Sequence, residues 1–349
     1  MKHLTKKLKT PLIALLCLCL LSLSACGEAK PVKKQIFSMD TLMTLTAYGK
    51  NAEAGLSAAA GIINAMDAAL DPENESSTVY ALNSAKGEPV VVSGQIAEML
   101  KTAATVSERS GGALDLAIYP LVKAWGFVDG SYTIPSDDAI AALLENIDFS
   151  GVSVTDFTES GDFLATVPSG GQLSFGAIAK GCASSYAVAA MRSAGVESAI
   201  ISLGGNVQTL GKKPNGENWN VAVQDPNDTG SYVGMLSVGE TAVITSGGYQ
   251  RYFERDGVRY HHLLDPKTGR PADNGLLSVT IVCEDGTMAD ALSTALFVLG
   301  ESAALDYWRD YGGFEAVLVT GDGRVVVTGG LYDVFEPYGD TYTYEYASK

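Results

Sequence analysis

Asp290 and Thr294 are the residues of this 349-residue sequence whose types and spacing are best suited to holding a metal ion. They lie in a segment, 288–299, whose pattern predicts a helix, and a separation of four places both side chains on one face. A carboxylate, a hydroxyl and backbone carbonyls are the ligands of a hard cation such as Mg²⁺, which also takes substrate phosphate oxygens. The alternative is that Asp290 caps its own helix and Thr294 packs as a β-branched residue.

Histidine chemistry is restricted to two adjacent residues, His261 and His262, because the remaining histidine, His3, lies in an N-terminal segment that we interpret as a signal. A zinc site built from several histidines is therefore excluded, and any catalytic metal must be held by oxygen. A histidine has a pKa near neutrality and can act as a general base. The alternative for His262 is a strand histidine satisfied by hydrogen bonds.

The glycine-rich segment 174–206 is suited to holding an anion. Its pattern predicts a strand end, a loop with Gly176 and Gly181, a helix beginning near Ala179, a buried strand over 198–203 and a glycine turn. A helix N-terminus presents unpaired N–H groups and a positive dipole end, and Lys180 adds a point charge. The alternative is a packed βαβ-type unit without a ligand.

The elements that must position these residues mix strands and helices without strict alternation, which predicts an α+β fold. The predicted strands include 35–48, with Met39-Asp40-Thr41 in its middle, and 276–283. The predicted helices include 52–70, 94–108 after the cap Ser93, 137–146 after Ser136, and 302–311.

The N-terminal segment reads as a bacterial lipoprotein signal. A lysine-rich start and an apolar stretch over 11–23 lead to Leu23-Ser24-Ala25-Cys26, which resembles a lipobox. We therefore expect a signal peptide over 1–25, lipid on Cys26, a tether over 26–34 and one domain over 35–349. The expected location is the outer face of the cell membrane or the periplasm. The alternative is an ordinary signal peptide or a short membrane anchor.

The acidic balance of the chain argues against a nucleic-acid partner, since the formal net charge is −16 and no basic patch appears. Cys182 and Cys283 are expected to be buried thiols rather than a disulfide.

Several motifs, taken in order, resemble the ApbE family over essentially the whole mature chain. They are Met39-Asp40-Thr41, Ala113-Leu114-Asp115, Pro120-Leu121-Val122, Trp125-Gly126-Phe127, the loop 176–181, Gly204-Gly205-Asn206, Thr245-Ser246-Gly247, His262-Leu263-Leu264-Asp265-Pro266, Thr268-Gly269-Arg270-Pro271, and Asp290 with Thr294. The set of ordered segments is far more specific than any one of them.

The resemblance implies an extracytoplasmic FAD:protein FMN transferase. Such an enzyme uses Mg²⁺ to split the FAD pyrophosphate, moves FMN onto a threonine of a membrane redox subunit and releases AMP. It also implies an α+β fold of two similar, intimately packed halves with FAD bound between them.

Site residues follow from the resemblance by matching motif positions. The metal ligands would be the carbonyl of Ala177 and the side chains of Asp290 and Thr294, and His262 would be the general base, so that His262 and Asp290 are the expected catalytic residues. The expected nucleotide contacts are Met39, Glu73, Ala113, Leu114, Asp115, Ser174, Lys180 and Leu264.

Three departures from the family pattern bear on activity. Asp40 and Ser174 stand where glycine and aspartate are usual, and the segment 70–73 lacks the usual Ser-Thr-Tyr. The stacking aromatic is therefore absent or displaced, and either Glu73 or Asn74 is expected in its position. The competing functions are a Mg²⁺-dependent FAD pyrophosphatase and, in another class, a flavin-binding lipoprotein without turnover. The combination of Asp290, Thr294 and Lys180 favours an enzyme.

Overall fold

A computed structural model of the chain describes residues 30–156 and 162–349. The predicted signal peptide and Cys26 lie outside the described residues. The helices are α1 (Ala52–Leu70), α2 (Thr78–Ser84), α3 (Gly94–Arg109), α4 (Tyr119–Ala124), α5 (Asp137–Leu144), α6 (Ala179–Ser193), α7 (Gly286–Leu299) and α8 (Glu301–Tyr311). Among the helices of these two ranges, none is both long enough and apolar enough to cross a membrane.

The strands are numbered in chain order. They are β1 (Val32–Ser38), β2 (Thr41–Ala47), β3 (Val90–Val92), β4 (Ser153–Asp156), β5 (Phe163–Thr166), β6 (Ala199–Leu203), β7 (Asn206–Leu210), β8 (Trp219–Gln224), β9 (Tyr232–Val238), β10 (Ala242–Gly247), β11 (Tyr252–Arg255), β12 (Val258–His261), β13 (Leu264–Asp265), β14 (Arg270–Pro271), β15 (Leu276–Cys283), β16 (Glu315–Thr320), β17 (Arg324–Thr328), β18 (Phe335–Pro337) and β19 (Thr343–Ala347).

A nine-stranded sheet in the order β1-β2-β6-β7-β10-β15-β16-β17-β19 forms the centre of the fold. Side chains alternate between its two faces, as a period of two requires. On one face Ile244 and Leu318 join the main core with residues of α1, α3, α6, α7 and α8. On the other face Val243 and Val317 pack against the small sheet β18-β9-β8. The predicted α+β class is confirmed.

Most predicted elements are present with close bounds. Helix α1 and strand β15 match their predicted ranges, and α3 and α5 begin after the side-chain caps Ser93 and Ser136. The serine hydroxyls accept the N–H groups of Ile96 and Ala139, which satisfies donors that the first helical turn leaves unpaired.

The predicted single strand over 35–48 is wrong, because the chain reverses in its middle. Met39 and Asp40 form a two-residue turn between β1 and β2, with φ angles of 49° and 57°. A type I′ hairpin turn needs positive φ at both turn residues and usually uses Asn-Gly or Asp-Gly, so Met-Asp carries no hairpin signal. Strand β1 begins at Val32, within the segment predicted as a tether.

The predicted strand end before α6 is also absent. Residues 173–178 are irregular, and Gln172 forms only an isolated bridge with Ile118. The N–H of Ser174 donates to the carbonyl of Leu116 at 2.8 Å, so this segment pairs with a loop instead of a sheet neighbour. The unit around α6 is therefore not βαβ.

One end of the nine-stranded sheet collects the turns that carry the predicted motifs. The β1–β2 turn, the β6–β7 turn at Gly204 and Gly205, and the last residues of β10 all lie at this end, as the strand registers require. A Cβ added to Gly204 would lie 2.6 Å from Thr41 Oγ1, which shows how closely the first two turns approach. We call this the site end of the sheet.

Candidate active site

Helices α6 and α7 touch backbone to backbone where Gly181 meets Gly286. A Cβ added to Gly181 would lie 2.0 Å from the carbonyl oxygen of Gly286 and 2.6 Å from Asp290 Cβ. A Cβ added to Gly286 would lie 2.7 Å from the carbonyl oxygen of Gly181. Only glycine leaves room for this approach, which brings Asp290 to the first turn of α6.

Asp290 links its own helix α7 to α6 and to β7, and its side chain is almost fully buried. Its Oδ2 accepts the backbone N–H of Gly181 at 2.8 Å, and its Oδ1 accepts Nδ2 of Asn206, at the start of β7, at 3.0 Å. The alternative that Asp290 caps its own helix is wrong, because Asp285 caps α7 by accepting the N–H of Met288. Asp290 instead caps α6.

This cap changes the anion site that the sequence predicts. The N–H of Gly181 donates to Asp290, and the N–H of Ala179 donates to the carbonyl of Phe175 at 2.8 Å, so two first-turn donors of α6 are already used. The side chain of Lys180 is half-buried and pairs with no carboxylate of the described residues. Positive charge for an anion therefore comes chiefly from this lysine.

Thr294 lies one turn after Asp290 and reaches the site end of the sheet. Its Oγ1 is 3.2 Å from Oγ of Ser246, near the end of β10, and Ser246 Oγ is also 2.8 Å from Oγ of Ser293. Ala177 is half-buried and lies two residues before α6. The structure thus brings Asp290 to Gly181 at the end of the 176–181 loop, and Thr294 lies one turn further along the same helix.

The donor set at this point suits Mg²⁺. It offers one carboxylate, one hydroxyl and the carbonyls of the adjoining loop, and no cluster of three or more His, Cys, Asp or Glu side chains exists in the described part of the chain. Mg²⁺ is commonly bound by one or two protein oxygens and completed by substrate phosphates, whereas a closed protein cage needs more carboxylates.

His262 is held as a neutral base. Its Nδ1 is 3.0 Å from the carbonyl oxygen of Arg251. A carbonyl only accepts, so Nδ1 carries the hydrogen and Nε2 keeps its lone pair. Burial, and to a smaller extent the positive charges of Lys180 and Arg251, lower the pKa of His262 to about 3.

His261 points into a different environment. Its Nε2 is 3.1 Å from the carbonyl oxygen of Ala272, and its ring packs edge-on against Phe297 with centroids 5.5 Å apart. It lines a cavity of about 450 Å³ that includes Tyr249 and Asn274 but none of the predicted nucleotide contacts. The role of His262 as base stays a prediction, and His261 lies outside the region of the predicted nucleotide contacts.

The turn at Ala113-Leu114-Asp115 lies beside Ser174, but its side chains are directed into the protein interior instead of toward a ligand. Ala113 and Leu114 are buried. The carboxylate of Asp115 accepts the N–H groups of Ala117 at 2.7 Å and Phe149 at 3.1 Å, and burial raises its pKa. This turn can therefore offer a ligand its backbone, while the carboxylate of Asp115 holds the turn in shape.

Glu73 is engaged with two residues that the sequence analysis did not single out. Its Oε1 accepts the hydroxyl of Tyr119 and Nζ of Lys123, the latter at 2.9 Å, and these bonds lower the pKa of Glu73. Tyr119 and Lys123 are four apart on α4, a spacing that could have indicated a shared face. The carboxylate of Glu73 is therefore already paired with α4 through Tyr119 and Lys123.

Leu264 and Met39 occupy contrasting positions. Leu264 is buried with Trp125, Phe127 and Phe253, and its backbone pairs with Pro271, so its side chain is not available to a ligand. Met39 is half-buried in the β1–β2 turn at the site end. Of the two, only the side chain of Met39 can contact a nucleotide there.

The close contact between Gly181 and Gly286 predicts that Gly181→Ala lowers the stability of the protein by a large amount. The added methyl group would force α6 and α7 apart, and we expect the free energy of unfolding to fall by about 1–3 kcal/mol or more. Gly61→Ala is the matched control, because Gly61 lies in α1 and an added Cβ would meet no atom within 4 Å beyond the adjoining backbone of its own helix. That change should stabilise by about 0.5–1 kcal/mol. Urea unfolding measures both, and equal stabilities for the two variants would contradict the close helix contact.

Most of the chain resembles proteins of known family. The model of the ApbE family matches residues 39–318. The FAD:protein FMN transferase of Treponema pallidum is 34% identical over 341 residues, with 92% of this chain and 93% of the relative covered. The FAD:protein FMN transferase of Klebsiella pneumoniae is 35% identical, with 76% and 82% covered.

A solved structure of an ApbE protein has the same fold as this chain. The crystal structure of the ApbE protein from Thermotoga maritima superposes with a TM-score of 0.78 at 30% identity, and the match covers 85% of this chain and 96% of that chain. With the motifs in their predicted order and the Asp290 site assembled at the first turn of α6, the chain belongs to the ApbE family.

Proposed function

We propose that this protein is an FAD:protein FMN transferase that moves FMN from FAD onto a threonine of a redox protein and releases AMP. Its relatives from T. pallidum and K. pneumoniae bear the name of this activity. The observation that carries the proposal is the carboxylate of Asp290, which a separate helix places on the first turn of α6. Lys180 lies in that same turn and has no carboxylate partner in the ranges 30–156 and 162–349.

The chain's own residues supply binding and proton transfer. Lys180 offsets charge on the diphosphate, and the threonine hydroxyl of the acceptor attacks the phosphorus of the FMN portion. The bond from that phosphorus to the bridging oxygen breaks, and AMP leaves with the bridging oxygen. Nε2 of His262 takes the proton of the threonine, which is possible because Nδ1 is held by Arg251.

The metal ligands would be Asp290, Thr294 and the carbonyl of Ala177. Mg²⁺ bound there would neutralise phosphate charge and stabilise the leaving AMP. The buried carboxylate is held in place before any cation arrives, because both of its oxygens already accept hydrogen bonds.

Finer features are part of the same proposal. We propose one catalytic domain that begins with β1 at Val32 and continues to residue 349, built of two similar halves with FAD between them. We also propose contacts to the nucleotide from Met39, Lys180 and the backbones of 113–115, Ser174 and Leu264. We further propose export and anchoring through lipid on Cys26, with the acceptor an extracytoplasmic or membrane electron-transfer subunit. Loss of membrane attachment in Cys26→Ala cells would test the anchor.

The test is to incubate the full chain with FAD, Mg²⁺ and a threonine-bearing acceptor, and to measure AMP by chromatography and the acceptor by mass spectrometry. We expect AMP release and one added FMN per acceptor. AMP without a labelled acceptor would indicate a pyrophosphatase, and bound but intact FAD would indicate a carrier.

A further inference from the structure

We propose that Asn206 is a positioning residue that holds the carboxylate of Asp290 in its metal-binding orientation. The inference rests on the metal site proposed above. Asn206 would touch neither metal nor substrate, and it would act only through its hydrogen bond to Asp290. The side chain of Asn206 is 2% exposed, and its Nδ2 donates to Asp290 Oδ1 at 3.0 Å.

The two oxygens of Asp290 are held by donors from two different elements. Oδ2 accepts the N–H of Gly181 from α6, and Oδ1 accepts the amide of Asn206 from β7. With the Gly181 bond alone, the carboxylate could rotate about its last torsion angle, whereas two donors fix its plane. A carboxylate oxygen has two lone pairs, so each oxygen keeps one for a cation. Groups that orient metal ligands in this way commonly govern metal affinity.

The position of Asn206 is itself determined by the backbone. Gly204 and Gly205, at φ angles of 60° and 98°, form the turn that starts β7 against β6, with Leu203 opposite Asn206. Alternation along β7 then directs Asn206 and Gln208 to the helix side, where Oε1 of Gln208 accepts from Ser184 of α6. A neutral amide donates a hydrogen bond without adding a second negative charge beside Asp290.

Gln208 provides a matched control for Asn206. Both are buried amides on the same face of β7, and both bind residues of the α6–α7 pair, but Gln208 contacts Ser184 instead of Asp290. Replacing either by alanine removes a buried hydrogen bond and is expected to lower the melting temperature. Only the change at Asn206 frees the metal-binding carboxylate.

The experiment measures Mn²⁺ binding to the full chain from the paramagnetic resonance signal of free Mn²⁺, with no turnover involved. We expect Asn206→Ala to raise the Kd for Mn²⁺ by about 10–100-fold. Gln208→Ala should leave the Kd unchanged although it also lowers the melting temperature.

Three results would overturn the inference: a wild-type Kd in Asn206→Ala, an equal rise in Gln208→Ala, or no Mn²⁺ binding by the wild-type protein. A chain that shows the expected shift in Kd but never labels an acceptor would support the role of Asn206 and contradict only the transferase activity.

Discussion

Replacing Asp290 by asparagine is expected to reduce AMP release from FAD by about a thousandfold or more. The amide that replaces the carboxylate carries no charge, so the site loses its one charged metal ligand, and metal assistance is worth several kcal/mol of barrier. The fold is also expected to weaken, because an asparagine has only one oxygen to accept from both Gly181 and Asn206. A loss of about 1–3 kcal/mol in unfolding free energy follows from the unpaired donor.

The control for this variant is Asp285→Ala. Asp285 is an exposed carboxylate that caps α7, the helix in which Asp290 lies. Its loss should cost about 1 kcal/mol of stability. AMP release should stay near the wild-type rate in that variant. Rates are measured by chromatography at a temperature where circular dichroism shows all proteins folded. A rate within tenfold of wild type for Asp290→Asn would remove Asp290 from the metal site.

Replacing His262 by glutamine is expected to slow FMN transfer to the acceptor by about 10²–10⁴-fold, the usual contribution of a general base. The KM for FAD should change little, because the role assigned to His262 is to take the proton of the threonine. His261→Gln is the control, since its ring packs against Phe297 and donates to Ala272. Mass spectrometry of the acceptor over time measures both rates, and equal rates for the two variants would exclude His262 as base.

The pH dependence of transfer follows from the pKa of His262. Burial lowers this pKa from 6.5 to about 3, so the ring is neutral and able to accept a proton throughout the range from about 5 to 8. The wild-type rate should therefore show no acid limb near pH 6.5. A clear fall in rate centred at pH 6.5 would show that the ring titrates as an ordinary histidine.

The same shift affects stability with a defined sign. Because the pKa is lower in the folded state, the unfolded chain binds more protons between pH 3 and 6.5, and this group's contribution to stability falls as the pH drops through that window. His262→Gln should make urea unfolding less sensitive to pH there. This readout does not depend on any substrate.

Helix and strand positions could be read from the sequence wherever the signal is local. Apolar residues at helical spacing located α1, Ser93 and Ser136 marked the starts of α3 and α5, and a run of apolar residues marked β15. The Met39-Asp40 turn carried no such signal, because its positive φ angles are imposed by pairing of the two strands instead of by residue type.

The sequence by itself determined which groups are available for chemistry: an oxygen-donor pair at Asp290 and Thr294, a cation at Lys180, and two histidines. Only the tertiary structure decided how they are used. Asp290 caps a helix that begins more than a hundred residues earlier, and Glu73 is paired with Tyr119 and Lys123. The rings of His262 and His261 are held by different backbone carbonyls, those of Arg251 and Ala272. These outcomes depend on contacts such as that of Gly181 with Gly286, where two distant backbones touch, and no local propensity records a contact between distant parts of the chain.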